Sequence, residues 1–301
     1  MRKSIAIIIT SILVLSGCNK QQSVSDRLLN EVEKAIAINP DSASNLLKSI
    51  SSPEKLDDKA FARWCMLSGK ITDEIFNSIL PTYQLERAYD WYSSHGSPDE
   101  QVQILIYLGR SYFADGDYDK AMSIYTNALD IAEKNKLNNL IGYTYDYIGD
   151  LYREKFMRTE AIKRYEIAAE YFKKEKNTDS YACALRDIGR EYAQMDSLSH
   201  ALNILIIADS VAANTSNINV TASINNALGN IYSMQNKYDK AEEYLLKALL
   251  TGREKMPDYV ALIDLYTASN SINKAKELLS KIPQDTPQYT CLLYTSPSPR
   301  D

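Results

Sequence analysis

The chain has 301 residues, of which 45% are hydrophobic and 24% are charged, and its formal net charge at neutral pH is -5. This composition is typical of a globular protein, and the acidic balance argues against a basic nucleic-acid-binding surface. Only two histidines are present, His95 and His200, and the sequence has no Gly-rich phosphate loop and no nucleophile elbow. We therefore predict no metal site, no cofactor, no catalytic residue and no nucleic-acid partner for this segment.

The first 17 residues have the pattern of a secretory signal peptide. A short basic start precedes an apolar run over 4–15, which is shorter than the roughly 20 apolar residues of a membrane-spanning helix. The next residues, Leu15-Ser16-Gly17-Cys18, resemble the lipobox of bacterial lipoproteins. That resemblance implies cleavage after residue 17, acylation of Cys18 and a lipid-anchored polar tether over 18–22.

Residues 23–96 are predicted to be helical but irregular. Asn39-Pro40-Asp41 predicts the end of one helix and the start of another, because proline is tolerated in the first turn. Ser51-Ser52-Pro53 predicts a further helix start, and Pro81 interrupts the second half of the segment. We interpret 23–96 as irregular N-terminal repeats that cap the array beginning at residue 97.

A regular spacing of 40 residues dominates residues 97–285. Half of the ten glycines follow this spacing: Gly69, Gly109, Gly149, Gly189 and Gly229. Aromatic and small residues keep the same spacing behind the glycines: Tyr112, Tyr152, Tyr192 and Tyr232; Ala121, Ala161, Ala201 and Ala241; Ala128, Ala168, Ala208 and Ala248. A repeated pattern of this length indicates a stacked array of structural repeats.

Each repeat is predicted to contain two helices. In the first repeat we expect helices near 101–114 and 118–134, joined by the turn Asp115-Gly116-Asp117. The glycine and the first alanine of a repeat lie on facing helices, where small side chains allow the two backbones to approach closely. One large residue sits between the two alanines of each repeat: Tyr125, Tyr165, Leu205 and Leu245.

These positions resemble the signature of the tetratricopeptide repeat family. Its Leu-Gly pair is matched by Leu108-Gly109, Ile148-Gly149, Ile188-Gly189 and Leu228-Gly229. The resemblance implies an all-α, right-handed superhelical solenoid of antiparallel helix pairs over 97–285, with about four regular units and a fifth that has Ile263 at the glycine position. The family repeat has about 34 residues. The spacing from the glycine to the second alanine is that of the family. The additional residues of this 40-residue repeat therefore come after the second alanine, where they lengthen the second helix or the link to the next repeat.

The C-terminal end differs from the repeats. Residues 291–301 resemble the translation of a sequencing-library adapter, and we interpret them as an artefact after a native tail over 286–290. We therefore expect the natural protein to be longer than this chain. The whole layout is similar to tetratricopeptide lipoproteins of Bacteroidetes-type bacteria. In some of those proteins, the repeats precede a membrane helix and a cytoplasmic coiled coil, kinase or DNA-binding module.

By the same resemblance, the first helix of each repeat lines a concave face that binds partners. The candidate partner-binding residues on this face are Phe113, Tyr143, Arg153, Arg186, Arg190, Asn226 and Asn230. The alternating charges on this face have two interpretations: a structural ladder of ion pairs between adjacent helices, or a peptide site. No charged residue matches the asparagine pair, and paired amides can bond an extended peptide backbone, so we favour Asn226 and Asn230 as ligand contacts.

These features predict a non-catalytic, membrane-anchored scaffold that binds a protein or peptide partner. The lipidation signal places it on a bacterial membrane, and we expect the outer membrane with the protein facing the periplasm. Two alternatives remain open at this stage. In the first alternative, the chain is the extracytoplasmic sensor segment of a longer, truncated transmembrane signalling protein. In the second, it is a glycan-binding outer-membrane lipoprotein. The glycan-binding alternative requires exposed tryptophans, and only Trp64 and Trp91 are present.

Overall fold

A computed structural model describes residues 26–75, 79–253 and 255–282 of the protein. Over these ranges the chain forms fourteen α-helices and one 3-10 turn, and no β-strand. The predicted all-α class is therefore confirmed. Among the helices so described, none combines the length and the apolarity needed to cross a membrane.

Several predicted features lie outside these ranges. They are the signal peptide over 1–17, the acylated Cys18 with its tether over 18–22, the tail over 286–290 and the adapter-like segment over 291–301. The chain divides into two compact units, Met1–Leu140 and Ile141–Asp301, each of which is considered by itself.

Within the described ranges, the first unit contains six helices that belong to it entirely. They are α1 (26–36), α2 (Pro40–Lys48), α3 (Asp58–Ile75), α4 (Thr82–His95), α5 (Pro98–Ala114) and α6 (Tyr118–Lys134), with the 3-10 turn Pro53–Lys55 between α2 and α3. The predicted start at Pro40 is confirmed, since Asn39 Oδ1 accepts a hydrogen bond from the Ser42 amide at 2.9 Å. The prediction for Ser51-Ser52-Pro53 is wrong: Pro53 begins only a 3-10 turn, and the helix itself begins at Asp58.

The second unit continues the alternation of helices. It contains α7 (Asn138–Glu154, of which the first three residues belong to the first unit), α8 (Arg158–Lys174), α9 (Thr178–Gln194), α10 (Leu198–Ala212), α11 (Ile218–Met234), α12 (Tyr238–Thr251), α13 (Met256–Ala268) and α14 (Ile272–Leu279). The α8, α10, α12 and α14 helices are the second helices of their pairs. The α8 helix runs six residues past Ala168, whereas α10 and α12 end four and three residues past Ala208 and Ala248. The additional residues therefore extend the second helix in the α8 repeat and lie partly in the link in the next two repeats.

The turn inside each helix pair has the same geometry. In the five pairs from α5/α6 to α13/α14, the second residue after the end of the first helix has positive φ: Gly116, Phe156, Asp196, Asn236 and Asn270. In four of these turns, the backbone N–H of the residue that follows the positive-φ residue donates a hydrogen bond to the carbonyl of the regularly spaced tyrosine. The bond from Met157 N to Tyr152 O, at 2.9 Å, is an example. Glycine, aspartate and asparagine adopt this conformation readily, whereas Phe156 is a bulky exception with 79% of its surface exposed.

The regularly spaced glycines provide space for the large residue of the facing second helix. A Cβ atom built on Gly149 would lie 2.5 Å from the Tyr165 ring, and one on Gly189 would lie 2.8 Å from Leu205 Cγ. Both distances are shorter than real Cβ contacts allow. The close approach predicted for these helices is confirmed. The residue that packs against the glycine is the large residue between the two alanines of the second helix. In the repeat of Gly149 this residue is Tyr165, which is completely buried.

Gly149→Ala should therefore destabilise the second unit. A methyl group cannot fit against the rigid Tyr165 ring without displacing α8, and overpacking of this kind typically costs about 1–3 kcal/mol. Urea unfolding followed by helical circular dichroism measures this loss. The exposed Ser199→Ala on α10 is the control, with a change below about 0.5 kcal/mol. A Gly149→Ala protein more stable than wild type, as for an unconstrained helical glycine, would contradict this packing.

Candidate binding face

The first helices of the second unit carry a row of polar side chains across α7, α9, α11 and α13. We call this set the polar row: Asp146, Asp150, Arg153, Arg186, Asp187, Arg190, Ser223, Asn226, Asn230 and Asp258. Five of the predicted partner-binding residues belong to it: Arg153, Arg186, Arg190, Asn226 and Asn230. The direct ion pairs of the row lie within single helices, so the predicted charge ladder between adjacent helices is not built from direct ion pairs here.

Arg186 is the most extensively bonded member of the polar row. Its Nε and Nη2 donate to the two oxygens of Asp187 at 3.0 and 2.6 Å, and its Nη1 donates to Ser223 Oγ at 2.9 Å. Burial alone would lower the pKa of Arg186, but the adjacent Asp187 carboxylate outweighs this effect and raises it. Because the bond to Ser223 joins α9 to α11 and the bonds to Asp187 pair two buried charges within α9, Arg186 has a structural role.

Arg190 is bonded much less than Arg186. Its only hydrogen bond within the part of the chain that the structure describes is a long one, 3.4 Å from Nη1 to Asp187 Oδ1. Asp187 is 6% exposed and already accepts two shorter bonds from Arg186, whereas the Arg190 side chain is 41% exposed. The remaining N–H groups of the Arg190 guanidinium are therefore available to a ligand.

On α7, the Asp150 carboxylate accepts hydrogen bonds from two neighbouring side chains, Arg153 and Tyr165. Asp150 Oδ1 accepts from Arg153 Nη1 at 2.8 Å and from the Tyr165 hydroxyl at 2.8 Å. Burial raises the pKa of Asp150, and the Arg153 charge partly opposes this shift. Arg153 Nη1 also donates to the Tyr165 hydroxyl at 3.3 Å, so these contacts link α7 to α8 next to the close packing of Gly149.

The asparagine pair on α11 has a charged partner that its spacing in the sequence did not reveal. Asn226 Nδ2 donates to Asp258 Oδ1 at 2.7 Å, and Asn230 Nδ2 donates to Asn226 Oδ1 at 3.0 Å. Asn226 and Asp258 are 7% and 4% exposed. The expectation that no charged residue matches the pair is therefore wrong for Asn226. A signal was available, since α13 carries only two charged residues, Asp258 and Asp264, in an otherwise uncharged sequence.

The two predicted aromatic contacts, Phe113 and Tyr143, do not belong to the polar row. Phe113 belongs to the first unit, where its ring packs against Tyr118 with centroids 5.4 Å apart. Tyr143 packs against Phe172, and its hydroxyl accepts hydrogen bonds from Asn177 Nδ2 and Ser180 Oγ, both at 3.0 Å. Since Asn177 is the N-cap of α9, Tyr143 helps to hold the start of that helix.

A metal-binding arrangement is not found in the ranges that the structure describes. No three His, Cys, Asp or Glu side chains come together there as possible ligands. What the polar row offers instead is hydrogen bonding from amide and guanidinium groups that are held in place by buried neighbours. This chemistry suits the polar groups of a peptide chain.

Comparisons with known proteins identify the repeats. Family models described as "Tetratricopeptide repeat" match residues 105–138 and 221–256. A curated relative, the Photosystem I assembly protein Ycf3 of Rippkaea orientalis (strain PCC 8801 / RF-1), is 32% identical over 91 residues, which are 30% of this chain. The chain spans about half of that relative's length, 52%. Each of the two units therefore contains one segment that matches a tetratricopeptide repeat model.

Solved structures resemble the protein at the level of the fold. The Rap protein complexed with Competence and Sporulation Factor has a TM-score of 0.71 and 18% identity, covering 86% of this chain and 75% of that chain. The apo form of the quorum sensor NprR from B. thuringiensis has a TM-score of 0.57 and 15% identity, covering 92% and 84%. Pseudomonas aeruginosa pilF has a TM-score of 0.51 and 14% identity, covering 79% and 98%. These similarities show a solenoid fold of the tetratricopeptide type.

Asn226→Ala should destabilise the protein more than Asn230→Ala. The first variant leaves the buried Asp258 carboxylate without its amide donor, which costs about 1–3 kcal/mol, whereas Asn230 donates only to a neighbouring amide. Burial already raises the pKa of Asp258, and the bond from Asn226 opposes that shift. Removing the bond should raise this pKa further, so the penalty is full at neutral pH and shrinks as acid protonates Asp258, first in the folded variant and then in the folded wild type.

Urea unfolding of both variants at pH 7 and pH 4 measures these differences. Asn230→Ala serves as the matched control, because it truncates the same residue type one turn along α11. Equal penalties for the two variants, or an Asn226→Ala penalty that grows in acid, would contradict the assigned role of Asp258.

Proposed function

We propose that the protein is a non-catalytic scaffold that binds an extended segment of a protein or peptide partner along the polar row. The observation that carries this proposal is the unequal bonding of the row. Arg186, Asp187 and Asn226 are held by short bonds, while the side chains of Arg190 and Asn230 are only partly buried and retain unused donors. A surface of this kind presents hydrogen-bond donors in fixed positions.

Fixed donors favour binding because little side-chain freedom is lost when the ligand arrives. Arg190 stands on the same helix as the bonded Arg186–Asp187 pair, and Asn230 is anchored through Asn226 to Asp258. An extended peptide has carbonyl groups that can accept from both the guanidinium and the amide. The partner's main chain therefore supplies acceptors for the unused N–H groups of Arg190 and Asn230.

The comparisons support a binding role by analogy. One structural neighbour is a Rap protein in complex with Competence and Sporulation Factor, another is a quorum sensor, and the curated relative is an assembly protein. Repeat solenoids in general present extended binding surfaces built from successive repeats. We extend this role to the present chain and place the contact on the polar row of its second unit.

We also propose that the scaffold is held on a bacterial membrane through a lipidated Cys18. The support is the sequence alone: a signal-like segment over 1–17 and the lipobox-like Leu15-Ser16-Gly17-Cys18. A single acyl chain binds membranes weakly, whereas several chains give a stable anchor. In this proposal, the polar residues 18–22 separate the anchor from the helical repeats, and the protein faces the periplasm from the outer membrane.

A selection experiment tests the binding role directly. The full chain is screened against a phage-displayed library of random dodecapeptides, and the affinity of a selected peptide is measured by calorimetry. Arg190→Ala and Asn230→Ala should each weaken binding about tenfold or more, corresponding to about 1.4 kcal/mol. Both variants should leave urea stability within about 1 kcal/mol of wild type, because both side chains are partly exposed, the Arg190 bond is long and the Asn230 bond joins two neutral amides.

Lys247→Ala on α12 is the control for the selection. Lys247 is exposed and pairs with Glu243 on its own helix, so its loss should change neither affinity nor folding appreciably. If no peptide is selected, or if the selected peptides lose affinity with Lys247→Ala and not with the polar-row variants, the proposed function is wrong.

A further inference from the structure

Asp146 on α7 is the one carboxyl group of the polar row whose buried oxygen is left without a hydrogen bond. Its Oδ1 is buried and has no donor within the part of the chain that the structure describes, although the side chain as a whole remains partly exposed. A buried polar atom without a partner costs free energy comparable to a lost hydrogen bond. An unpartnered group of this kind on a candidate binding face requires an explanation.

The charged groups near Asp146 are already paired with one another. Asp150 and Arg153 form an ion pair on the same helix, and Arg186 and Asp187 form a second on α9. Cys183 of α9 is also within electrostatic range of Asp146. Asp146 therefore has two arginines in its surroundings, but each of them is bonded to another carboxylate.

These surroundings favour the neutral form of Asp146. Burial, together with the negative charges of Asp150 and Asp187, raises its pKa well above the ordinary range of a carboxyl group, and the two arginines oppose this only in part. A neutral carboxyl group offers one O–H donor and one carbonyl acceptor. This is the hydrogen-bonding pattern of a primary amide, which asparagine provides on α11.

We propose that Asp146 contacts the bound segment as a neutral carboxyl group, donating the O–H of Oδ2, the oxygen that is not buried, to a main-chain carbonyl of the partner. This inference rests on the proposed binding function and adds a contact on α7 to those of Arg190 on α9 and Asn230 on α11. Neighbouring helices pack about 8–10 Å apart. The distance from α7 to α11 is thus about 20 Å, which about six residues of extended peptide can span.

The proposal makes binding dependent on pH in a defined direction. If the bound state requires the proton on Asp146, affinity is full below the pKa of Asp146 in the free protein. Above that pKa it falls up to tenfold per pH unit, because binding must then take up a proton. A partner that instead supplied a positively charged donor would bind better as pH rises. The sign of the pH dependence therefore separates the two chemistries.

The first measurement uses the free full chain. The side-chain carboxyl carbon of Asp146 is followed by NMR across a pH titration and assigned by its loss in Asp146→Asn. The expected midpoint lies above the value of about 3.9 for an unperturbed aspartate. A midpoint at or below that value overturns the proposal, and this result does not depend on any ligand.

The second measurement uses a selected dodecapeptide that has no ionisable side chain and has acetylated and amidated ends. Wild-type affinity should fall as pH rises through the Asp146 midpoint. Asp146→Asn, which retains a donor and an acceptor at every pH, should bind within threefold of wild type at low pH and lose the pH dependence. Asp146→Leu should bind at least tenfold more weakly. Asp239→Asn, an exposed carboxyl on α12, is the control and should keep the wild-type profile.

The outcomes distinguish the two proposals. Failure to select any dodecapeptide counts against the proposed function. A peptide that binds the polar row with affinity independent of pH, or with affinity that rises with pH, overturns the role of Asp146 and leaves the proposed function intact. An Asp146→Asn variant that binds as weakly as Asp146→Leu also overturns the role of Asp146 alone.

Discussion

The close approach of two helices at a regularly placed glycine is the contact on which each of the regular repeats depends. At Gly149 the missing side chain leaves room for the Tyr165 ring, and at Gly189 it leaves room for Leu205. Because these residues recur every 40 positions, successive helix pairs pack in the same way within a unit. Alanines beside the large residues maintain this spacing, since Ala161 and Ala168 flank Tyr165 and are completely buried. Overpacked cores lose stability quickly, which leaves little tolerance at these positions.

Part of the polar row depends on this packing, because three of its members come directly after a regularly spaced glycine: Asp150, Arg190 and Asn230. Because Asp150 and Arg190 each come directly after such a glycine, the close contact with the second helix also fixes the positions of their Cα and Cβ atoms. Burial then makes the pairing of charges essential, as for Asp187 with Arg186. One part of the row is therefore structural, whereas the partly exposed Arg190 and Asn230 keep hydrogen-bond donors that the described part of the chain does not use.

Short, repeated spacings in the sequence were enough to predict the helix pairs and their turns. The helix pair α5 and α6 lies within three residues of its expected bounds, and the turn at Gly116 is where it was placed. Contacts between helices of different repeats were harder to predict. Asn226 bonds Asp258 from α13, a helix of the irregular fifth unit, and no periodicity links those two residues. The unpartnered oxygen of Asp146 was equally hidden, because it depends on which neighbouring arginines are already bonded. The partner-binding role of the row remains a prediction.

A crystal structure of the full chain bound to a selected dodecapeptide tests the central claim most directly. The claim is that the first helices of the second unit hold the partner through polar groups fixed by their buried neighbours. We expect the peptide to lie across α7, α9 and α11, with main-chain atoms within hydrogen-bond distance of Arg190 and Asn230 and with the Arg186–Asp187 pair intact. A peptide seated on α8, α10 and α12, with the polar row uncovered, would contradict the account.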